Sequence, residues 1–287
     1  MRGRFAPSPT GRLHLGNLRT ALLAWLFARS AGSPFLVRME DLDRGSVREE
    51  HYATQLDDLS ALGLDWDGDV VRQSERSTLY DAAVERLIAA GLTYECWCSR
   101  KEIQEASSAP HGPPGAYPGT CREGGVRRPD RSPALRLRTG GQVVAVEDRL
   151  LGRYEGAVDD FVLRRGDGTA AYNLAVVVDD ADQGVEEVVR AADLLPSTPR
   201  QVLLARLLDL PVPAYAHVPL VLGPGGERLA KRDGAVTLED RVALGESSAD
   251  VVRRLAASLG LDGDTPTALL PQFDPARLPR EPWVFTG

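Results

Sequence analysis

The sequence has little lysine, few cysteines and no long apolar segment. Two of its 34 basic residues are lysines, Lys101 and Lys231, and the other 32 are arginines. Lysine offers a compact charge on a flexible stem, whereas arginine offers a planar fork, so a lysine retained at position 231 indicates a site that needs the former. The odd count of three cysteines suits a reduced cytosol better than a disulfide framework.

Other features that the sequence lacks limit the class of protein to which it can belong. No segment resembles a secretory peptide, and the longest apolar runs, such as residues 21–27, are too short to span a bilayer. We therefore expect a cytoplasmic protein without a membrane partner. The formal charge of −7 argues against general binding of polyanions, but it leaves room for a nucleic acid that meets a local basic patch. A length of 287 residues fits one large domain or two small ones.

The apolar pattern at the start of the chain predicts an α/β fold. Residues 3–6 and 35–39 favour two short strands. Between them a helical pattern begins at Leu15, with Leu18 and Leu22 on its inner stripe. The order strand, helix, strand is typical of a βαβ unit in a parallel sheet.

Further along, the pattern predicts more helices and strands and one insertion. Helices are predicted from Ser77 to Gly91 and from Ser247 or Ser248 to Gly260. Strands are predicted over residues 92–98, 174–178, 185–189 and 217–222, and a Pro-, Gly-, Ser- and Arg-rich insertion loop over residues 107–133. We expect a split Rossmann-like domain that carries a smaller cysteine-bearing module.

Two distant segments carry residues suited to a nucleotide. In residues 7–17, Gly and Pro precede a helix start, where unpaired N–H groups and the positive end of the helix dipole favour phosphate. His14 and Asn17 lie on one side of its first turn and can donate to ribose or phosphate oxygens, although His14 as a cap or surface residue is the alternative. Residues 228–232 form a basic loop in which Lys231 can stabilise a leaving pyrophosphate, unless the loop is a solvated hairpin.

The three cysteines predict a metal site. Cys96 and Cys98 are two residues apart on a predicted strand, so both thiols point to one side. Cys121 follows after the insertion loop. Three thiolates with one further ligand would bind a structural zinc ion, and His111 is the ordinary choice for the fourth position. The alternative is three reduced cysteines that are near one another by chance.

The nucleotide segments resemble those of one enzyme family. Residues 4–17 are similar to the HIGH element of the glutamyl branch of the class I aminoacyl-tRNA synthetases, with Asn17 at the second histidine. Residues 228–232 resemble its KMSKS element, with Ala230 at the serine and Lys231 at the second lysine. The resemblance implies that ATP, accompanied by Mg²⁺, is bound by His14, Gly16, Asn17 and Lys231. All of these except Gly16 would be catalytic.

Further segments resemble the amino-acid pocket of the same branch, namely residues 38–43, 171–180 and 189–195. The resemblance implies that glutamate is bound by Arg4, Phe5, Ala6, Pro7, Ser8, Glu40, Tyr172 and Arg190.

Each charged group of glutamate needs a counterpart in this pocket. Because arginine can hold a carboxylate bidentately, we expect Arg4 and Arg190, with Tyr172, to bind the side-chain carboxylate. Glu40 and Ser8 would face the ammonium group. The alternatives are core packing for Tyr172 and a solvated or Mg²⁺-binding acidic cluster at residues 40–43.

The resemblance also bears on the metal site and on domain boundaries. It implies one structural zinc ion per chain, held by Cys96, Cys98, Tyr117 and Cys121, with His111 as the rival to Tyr117. The predicted division is residues 1–95 for the first half of a Rossmann-like catalytic domain, 96–160 for an inserted zinc-binding and RNA-contacting subdomain, 161–222 for the second half, and 223–287 for the KMSKS-like loop and a short helical C-terminal segment.

The resemblance implies a reaction in two steps. Residues 232–287 leave room for one or two helices rather than for an anticodon-binding domain, so we expect a short paralogue of the branch. Such an enzyme would convert glutamate and Mg-ATP to glutamyl-adenylate and pass the glutamyl group to queuosine in the anticodon stem-loop of tRNA(Asp). We expect a monomer. Candidate RNA-contacting residues, with a solvated loop as the alternative, are Arg122, Arg127, Arg128 and Arg131.

Three other functions stay open from the sequence. The first is charging of a tRNA 3′ end, and the second is a catalytically idle RNA-binding paralogue. The third is a small-molecule nucleotidyltransferase, which the glutamate-pocket motifs disfavour.

Overall fold

The structure, a computed structural model, describes residues 1–99, 101–103, 116–125, 127–229, 234 and 236–287. Its strands are β1 (Gly3–Phe5), β2 (Phe35–Met39), β3 (Val71–Arg72), β4 (Thr93–Cys96), β5 (Ala134–Leu137), β6 (Val143–Asp148), β7 (Gly152–Ala157), β8 (Val162–Arg164), β9 (Glu187–Ala191), β10 (Ala214–Val218), β11 (Val221–Leu222) and β12 (Trp283–Val284). Its α-helices are α1 (Leu15–Ser30), α2 (Glu50–Ala61), α3 (Ser77–Ala89), α4 (Tyr172–Asp182), α5 (Thr198–Leu207), α6 (Leu238–Ala243), α7 (Ser248–Ala257) and α8 (Pro266–Leu269).

The largest sheet has seven strands in the spatial order β3, β2, β1, β9, β10, β6, β7. Every neighbouring pair from β3 to β6 is parallel, and only the edge strand β7 pairs antiparallel, with β6. The predicted βαβ unit at the start of the chain is confirmed, because α1 connects the parallel neighbours β1 and β2. The carboxyl ends of β1, β2 and β9 meet at one edge of the sheet, where open α/β sheets bind ligands.

Apolar side chains cover both faces of this sheet. Along β2, Phe35 and Val37 belong to one hydrophobic core, whereas Leu36 packs against the other. Since neighbouring residues of a strand point to opposite faces, the two cores lie on opposite sides of the sheet. Helices α1 and α7 contribute to the first core, and α3, α4 and α5 contribute to the second.

Helix α1 forms where its leucine stripe predicts it. Leu15, Leu18 and Leu22 are at most 1% exposed, and the helix is followed by Gly32 with a φ of 62°. Glycine reaches this left-handed conformation without the steric cost of a Cβ, which ends the helix cleanly. The predicted helix before Gly260 is confirmed as α7, and Ser247 caps it through a hydrogen bond from Asp250 N. Ser77 is the first residue of α3 rather than its cap, because the N-cap position is occupied by Arg76, whose side chain makes no capping bond.

One predicted strand is wrong. Residues 174–178 form part of helix α4, not a buried parallel strand. A short apolar run suits either element, and length and surroundings decide between them. Here Leu174 and Val178, one turn apart, pack into the second core, while Asp179 and Asp180 both meet the buried Arg38.

The distribution of strands between the two sheets does not follow the predicted domain boundaries. A second sheet, antiparallel, has the order β4, β5, β8 and adjoins the cysteines. Strands β6 and β7, whose residues fall within the predicted insert of 96–160, belong to the main sheet because β6 pairs with β10 at Asp148 and Tyr215. Residues 107–115 and 126 of the predicted insertion loop lie outside the described residues.

The C-terminal segment contains structure that the sequence did not predict. Strand β12 pairs in parallel with β11, and Phe285 N donates to Leu222 O over 2.8 Å. Residues after Asp262 are thus tied to the chain just ahead of the basic segment. Across the described ranges, no helix has the length and apolar character that a bilayer crossing requires.

Candidate active site

A cavity of about 470 Å³ opens at the carboxyl edge of the main sheet. It brings together ten of the sequence-predicted site residues: Arg4, Phe5, Ala6, Pro7, Ser8, His14, Asn17, Glu40, Tyr172 and Arg190. They come from the ends of β1, β2 and β9 and from the starts of α1 and α4. The predicted nucleotide and amino-acid residues therefore share one site. Lys231 lies outside the described residues.

His14 and Asn17 form a reciprocal cap at the start of α1. Asn17 N donates to His14 Nδ1, and His14 N donates to Asn17 Oδ1, each over 3.2 Å. The cap satisfies N–H groups that a helix start leaves without partners. The capping role that the sequence left open for His14 is thus present, and His14 lines the cavity as well.

The cap also determines which ring nitrogen of His14 carries the proton. Because Nδ1 accepts a hydrogen bond, the proton of the neutral ring lies on Nε2. Burial, followed by the charge of Arg228, lowers the pKa of His14 from 6.5 to about 4. At neutral pH the ring is therefore an uncharged donor at the cavity.

Gly16 supports this arrangement without lining the cavity. A Cβ at Gly16 would lie 2.8 Å from His14 Cε1, closer than carbon atoms pack. Glycine at this position therefore leaves space for the imidazole ring against the helix.

Arg4, which lines the cavity, belongs to a buried network of ion pairs. Asp180 Oδ1 lies 3.2 Å from Arg4 Nε and 2.9 Å from Arg38 Nη1. Arg38 Nη2 in turn lies 3.4 Å from Glu40 Oε1. Asp180 thus provides Arg4 with a counterion inside the protein and couples β1, β2 and α4.

Two described acidic residues line the cavity, Glu40 and Asp193, and Asp193 pairs with Arg228 at the rim. Burial raises the pKa of the Glu40 carboxyl group, although the charges of Arg38 and Arg4 act in the opposite direction. A cation bound beside Glu40 would favour the ionised form. The position of Glu40 in the cavity suits the predicted contact with an ammonium group.

Arg190 is held by neutral groups. Its Nε donates to His217 Nε2 over 3.0 Å, its Nη2 donates to Thr198 Oγ1 over 2.9 Å, and its Nη1 lies 3.5 Å from the Tyr172 hydroxyl oxygen. Among the residues that the structure describes, no carboxylate forms an ion pair with it, although only 4% of Arg190 is exposed. Tyr172 is 38% exposed, so it does not pack in the core.

The basic segment begins at the rim of the cavity. Arg228 lines the cavity, and its Nη1 lies 2.7 Å from Asp193 Oδ2. Leu229 N donates to Val221 O, which ties the segment to β11. Ala230, Lys231 and Arg232 follow directly and lie outside the described residues.

The three thiols are brought together as the sequence predicts. The sulfur atoms of Cys96, Cys98 and Cys121 all lie within 4.8 Å of one another, and Cys98 Sγ is 3.6 Å from Cys121 Sγ. Sulfur ligands about 2.3 Å from a tetrahedral zinc ion would be about 3.8 Å apart, so the cluster fits zinc. Strand β4 ends at Cys96, so Cys98 reaches the cluster from the loop that follows.

Tyr117 is positioned to complete this donor set. Its hydroxyl oxygen lies 3.3 Å from Cys96 Sγ and 3.9 Å from Cys98 Sγ, and it accepts a hydrogen bond from Cys121 N over 2.8 Å. The rival ligand His111 lies outside the described residues. The Tyr117 ring packs under the guanidinium group of Arg136, 3.6 Å from the ring centroid.

Three of the four arginines proposed for RNA contact already have acidic neighbours. Arg122 pairs with Asp160, Arg128 with Glu102 and Arg131 with Asp130. Arg127 instead lies over the ring of Trp97. An RNA phosphate would have to compete with those carboxylates, so the RNA footprint stays a prediction.

The sequence missed the residues that support the arginines. Asp148, Asp180, Thr198 and His217 are buried and polar, and each holds Arg4 or Arg190 directly or through one side chain. A histidine inside an apolar strand is a weak signal, because such residues are often satisfied core side chains. In the structure, His217 is identified by its hydrogen bonds to Asp148 and Arg190 on the two neighbouring strands.

Comparisons with known proteins agree with this geometry. The family described as tRNA synthetases class I (E and Q), catalytic domain, matches residues 1–261. The fold resembles that of a glutamate tRNA ligase from Elizabethkingia meningosepticum, with a TM-score of 0.85 at 24% identity over 100% of this chain and 67% of that chain. The protein therefore has the fold of a class I synthetase catalytic domain.

Curated relatives narrow the class further. A relative from Nocardia farcinica, 64% identical over 99% of this chain and 93% of its own length, is named glutamyl-Q tRNA(Asp) synthetase. One from Symbiobacterium thermophilum with the same name is 50% identical over 98% of this chain and 94% of its own length. The chain belongs to the class I tRNA synthetases of the glutamate and glutamine group, and it is a ligase. The family predicted from the sequence motifs is confirmed.

Proposed function

We propose that the chain activates L-glutamate with ATP and transfers the glutamyl group to queuosine at the wobble position of tRNA(Asp). The names of the two relatives support this acceptor, since each relative matches nearly the whole chain. The choice of amino acid has support from the cavity itself, and above all from Arg190.

Arg190 is the observation that carries the proposal. Burying a charge without a counterion is costly, and the three described hydrogen bonds of Arg190 all go to neutral groups. An anion bound in the cavity would remove this cost. The side-chain carboxylate of glutamate is such an anion, while the neutral amide of glutamine would leave the charge uncompensated. Arg4, which already pairs with Asp180, is assigned a secondary contact.

The other end of glutamate is assigned to Glu40 and Ser8. Glu40 would accept hydrogen bonds from the ammonium group, which would also favour the ionised form of its own carboxyl group. Phe5, Ala6 and Pro7 line the same cavity. The amino acid would therefore be held at both charged ends.

Activation requires position and charge stabilisation rather than a general base. The α-carboxylate is ionised near neutral pH, so it can attack the α-phosphorus of ATP while the bond to pyrophosphate breaks. The uncharged His14 would donate from Nε2 to the phosphate, together with the amide of Asn17. Lys231 is assigned to the charge that builds up on pyrophosphate. Mg²⁺ bound with ATP would neutralise further phosphate charge.

Transfer completes the reaction. A hydroxyl of the cyclopentenediol ring of queuosine would attack the carbonyl carbon of glutamyl-adenylate, so that an ester forms and AMP leaves. Cys96, Cys98, Tyr117 and Cys121 would hold a zinc ion with four protein ligands. A site closed in this way has a structural role, because no position remains for substrate.

The test uses radiolabelled glutamate, ATP and tRNA from queuosine-proficient and queuosine-deficient cells. We expect acid-precipitable label only with the first tRNA. Label that persists on a tRNA(Asp) transcript without queuosine would instead indicate charging of the 3′ end. Absence of glutamate-dependent pyrophosphate exchange would indicate an idle paralogue and would refute the proposal.

A further inference from the structure

A buried chain of hydrogen bonds connects Asp148 through His217 to Arg190. Asp148 Oδ2 lies 2.6 Å from His217 Nδ1, and Arg190 Nε donates to His217 Nε2 over 3.0 Å. The three residues sit on the adjacent strands β6, β10 and β9 and are at most 5% exposed. The proposed reaction assigns no step to Asp148 or His217.

Only one protonation state of His217 satisfies both neighbours. Although burial opposes ionisation of Asp148, hydrogen bonds from His217 and from the backbone of Leu151 and Leu150 lower the pKa of its carboxyl group. A carboxylate only accepts hydrogen bonds and a guanidinium group only donates them. His217 Nδ1 must therefore carry the proton, and Nε2 must present its lone pair to Arg190. Burial lowers the pKa of His217, which keeps the ring neutral.

The same chain determines how Arg190 is oriented. Its Nε and Nη2 are engaged by His217 and by Thr198 Oγ1, which also lies 3.2 Å from His217 Nε2. The planar guanidinium group is thus fixed along one edge. Its Nη1 is directed towards Tyr172, which lines the cavity.

We propose that Asp148 and His217 are positioning residues that set the specificity of the cavity for an acidic amino acid. Asp148 selects the His217 tautomer, and His217 aligns Arg190 so that the N–H groups it does not use for its own support meet the substrate carboxylate. This inference rests on the proposed function, because it assigns that carboxylate to glutamate.

The variant Asp148→Asn tests the tautomer with almost no change of shape. Oδ1 of Asp148 accepts from Leu150 N and from Leu151 N, each over 2.9 Å, so the oxygen of an asparagine would take that place. Its amide NH₂ group would then face His217 Nδ1 and force the proton onto Nε2, while the backbone N–H of His217, now 3.1 Å from Oδ2, would keep the oxygen at the Oδ1 position, 3.3 Å away, as its acceptor. Two donors, His217 Nε2–H and Arg190 Nε–H, would oppose each other across 3.0 Å.

We expect Asp148→Asn to raise the KM for glutamate by about tenfold or more in pyrophosphate exchange with tRNA present. The KM for ATP and kcat should change by less than about threefold, because the change removes binding of one substrate rather than a contact made only in the transition state. A general loss of structure would instead lower the amount of active enzyme without this selectivity.

Asp160→Asn is the matched control. Asp160 is 0% exposed and accepts hydrogen bonds from Tyr94, Arg122 and Thr139, and it does not line the cavity. It suffers the same chemical change, and we expect its glutamate KM to match the wild type. If Asp148→Asn does not fold, the tautomer of His217 is measured in the wild type by NMR instead.

Two outcomes would overturn the inference while leaving the proposed function intact. One is an active Asp148→Asn enzyme with the wild-type KM for glutamate. The other is a ¹⁵N NMR spectrum of the wild type in which His217 carries its proton on Nε2. The NMR measurement does not depend on substrate, so it decides the tautomer even if glutamate-dependent exchange is absent and the proposed function fails.

Discussion

Arg190 and Lys231 have the same charge but are suited to different tasks. Arg190 uses a planar fork to make hydrogen bonds in three fixed directions, to His217, Thr198 and Tyr172. A lysine has one nitrogen atom and cannot reach all three groups at once. Lys231 lies in a glycine-flanked basic segment, where a flexible stem can follow a departing group. In a chain so rich in arginine, the residue type at each position is therefore informative.

The first prediction concerns Arg190→Lys. The variant keeps the charge but loses the bonds that align it, so we expect the KM for glutamate to rise about tenfold or more in pyrophosphate exchange. Arg153→Lys, an exposed change on β7, is the control and should leave the KM unchanged. An Arg190→Lys enzyme with the wild-type KM for glutamate would contradict the role of the guanidinium fork.

The second prediction concerns Lys231→Ala. Because the lysine would stabilise charge that develops on pyrophosphate in the transition state, we expect adenylate formation to slow by about 10²- to 10³-fold. Pyrophosphate exchange at saturating glutamate measures this, and Lys101→Ala provides the matched control at the other lysine. Unchanged exchange in Lys231→Ala would remove Lys231 from the proposed step.

At the scale of the element, the start of α1 combines a helix cap with a ligand contact. His14 accepts from Asn17 N only while its ring is neutral, since a protonated imidazole has no lone pair. In the unfolded chain the ring has its ordinary pKa of 6.5, whereas in the folded chain the pKa is about 4. Between these values the unfolded state binds more protons, so the free energy of unfolding falls as pH falls.

The third prediction follows from that difference. Asparagine is a favourable N-cap without a titratable group, so His14→Asn should lose less stability than the wild type between pH 7 and pH 5. The expected slope of the difference is somewhat below about 1.4 kcal/mol per pH unit, because part of the ring is open to the cavity. Urea unfolding at both pH values measures it. Parallel pH profiles for the two proteins would show that folding does not lower the pKa of His14.

The elements differ in how well the sequence predicts them. The sequence predicts helix α1 from a leucine stripe that persists over its 16 residues, and it predicts β2 from the short apolar run that follows the helix in βαβ order. Residues 174–178 fit two elements, and the choice of helix depends on Arg38 and the second core, which are distant in sequence. The candidate site is likewise predictable from sequence only where its residues belong to local motifs. His14 and Lys231 belong to local motifs, whereas Asp148 and His217 meet only because β6 and β10 are neighbours.

At the scale of the molecule, the cysteine cluster is separate from the cavity. Cys96, Cys121 and Tyr117 form a small hydrophobic cluster of their own with Tyr94, while the cavity lies between the ends of main-sheet strands. The second sheet is also anchored without metal, because Leu137 on β5 and Leu163 on β8 are buried in the second core. Loss of the metal should therefore have a local effect.

The fourth prediction concerns metal removal. The wild type should contain about one zinc ion per chain by elemental analysis, and Cys121→Ser should contain less. Chelation should reduce transfer to tRNA, because the proposed RNA-contacting Arg122 adjoins Cys121, while glutamate-dependent pyrophosphate exchange should largely persist. Equal loss of exchange and transfer as zinc is removed would contradict this separation.

The reciprocal cap at His14 and Asn17 has a consequence for protein engineering. A library that varies His14 to accept other nucleotides will also change the stability of the start of α1. Fitness at this position therefore reflects both nucleotide recognition and helix stability. A variant that loses the cap would lose about 1 kcal/mol of stability, so a selection for new cosubstrates would act on stability as well as on recognition. The first step in such a redesign would be to supply the N-cap of α1 from another residue, so that position 14 could change without destabilising the helix.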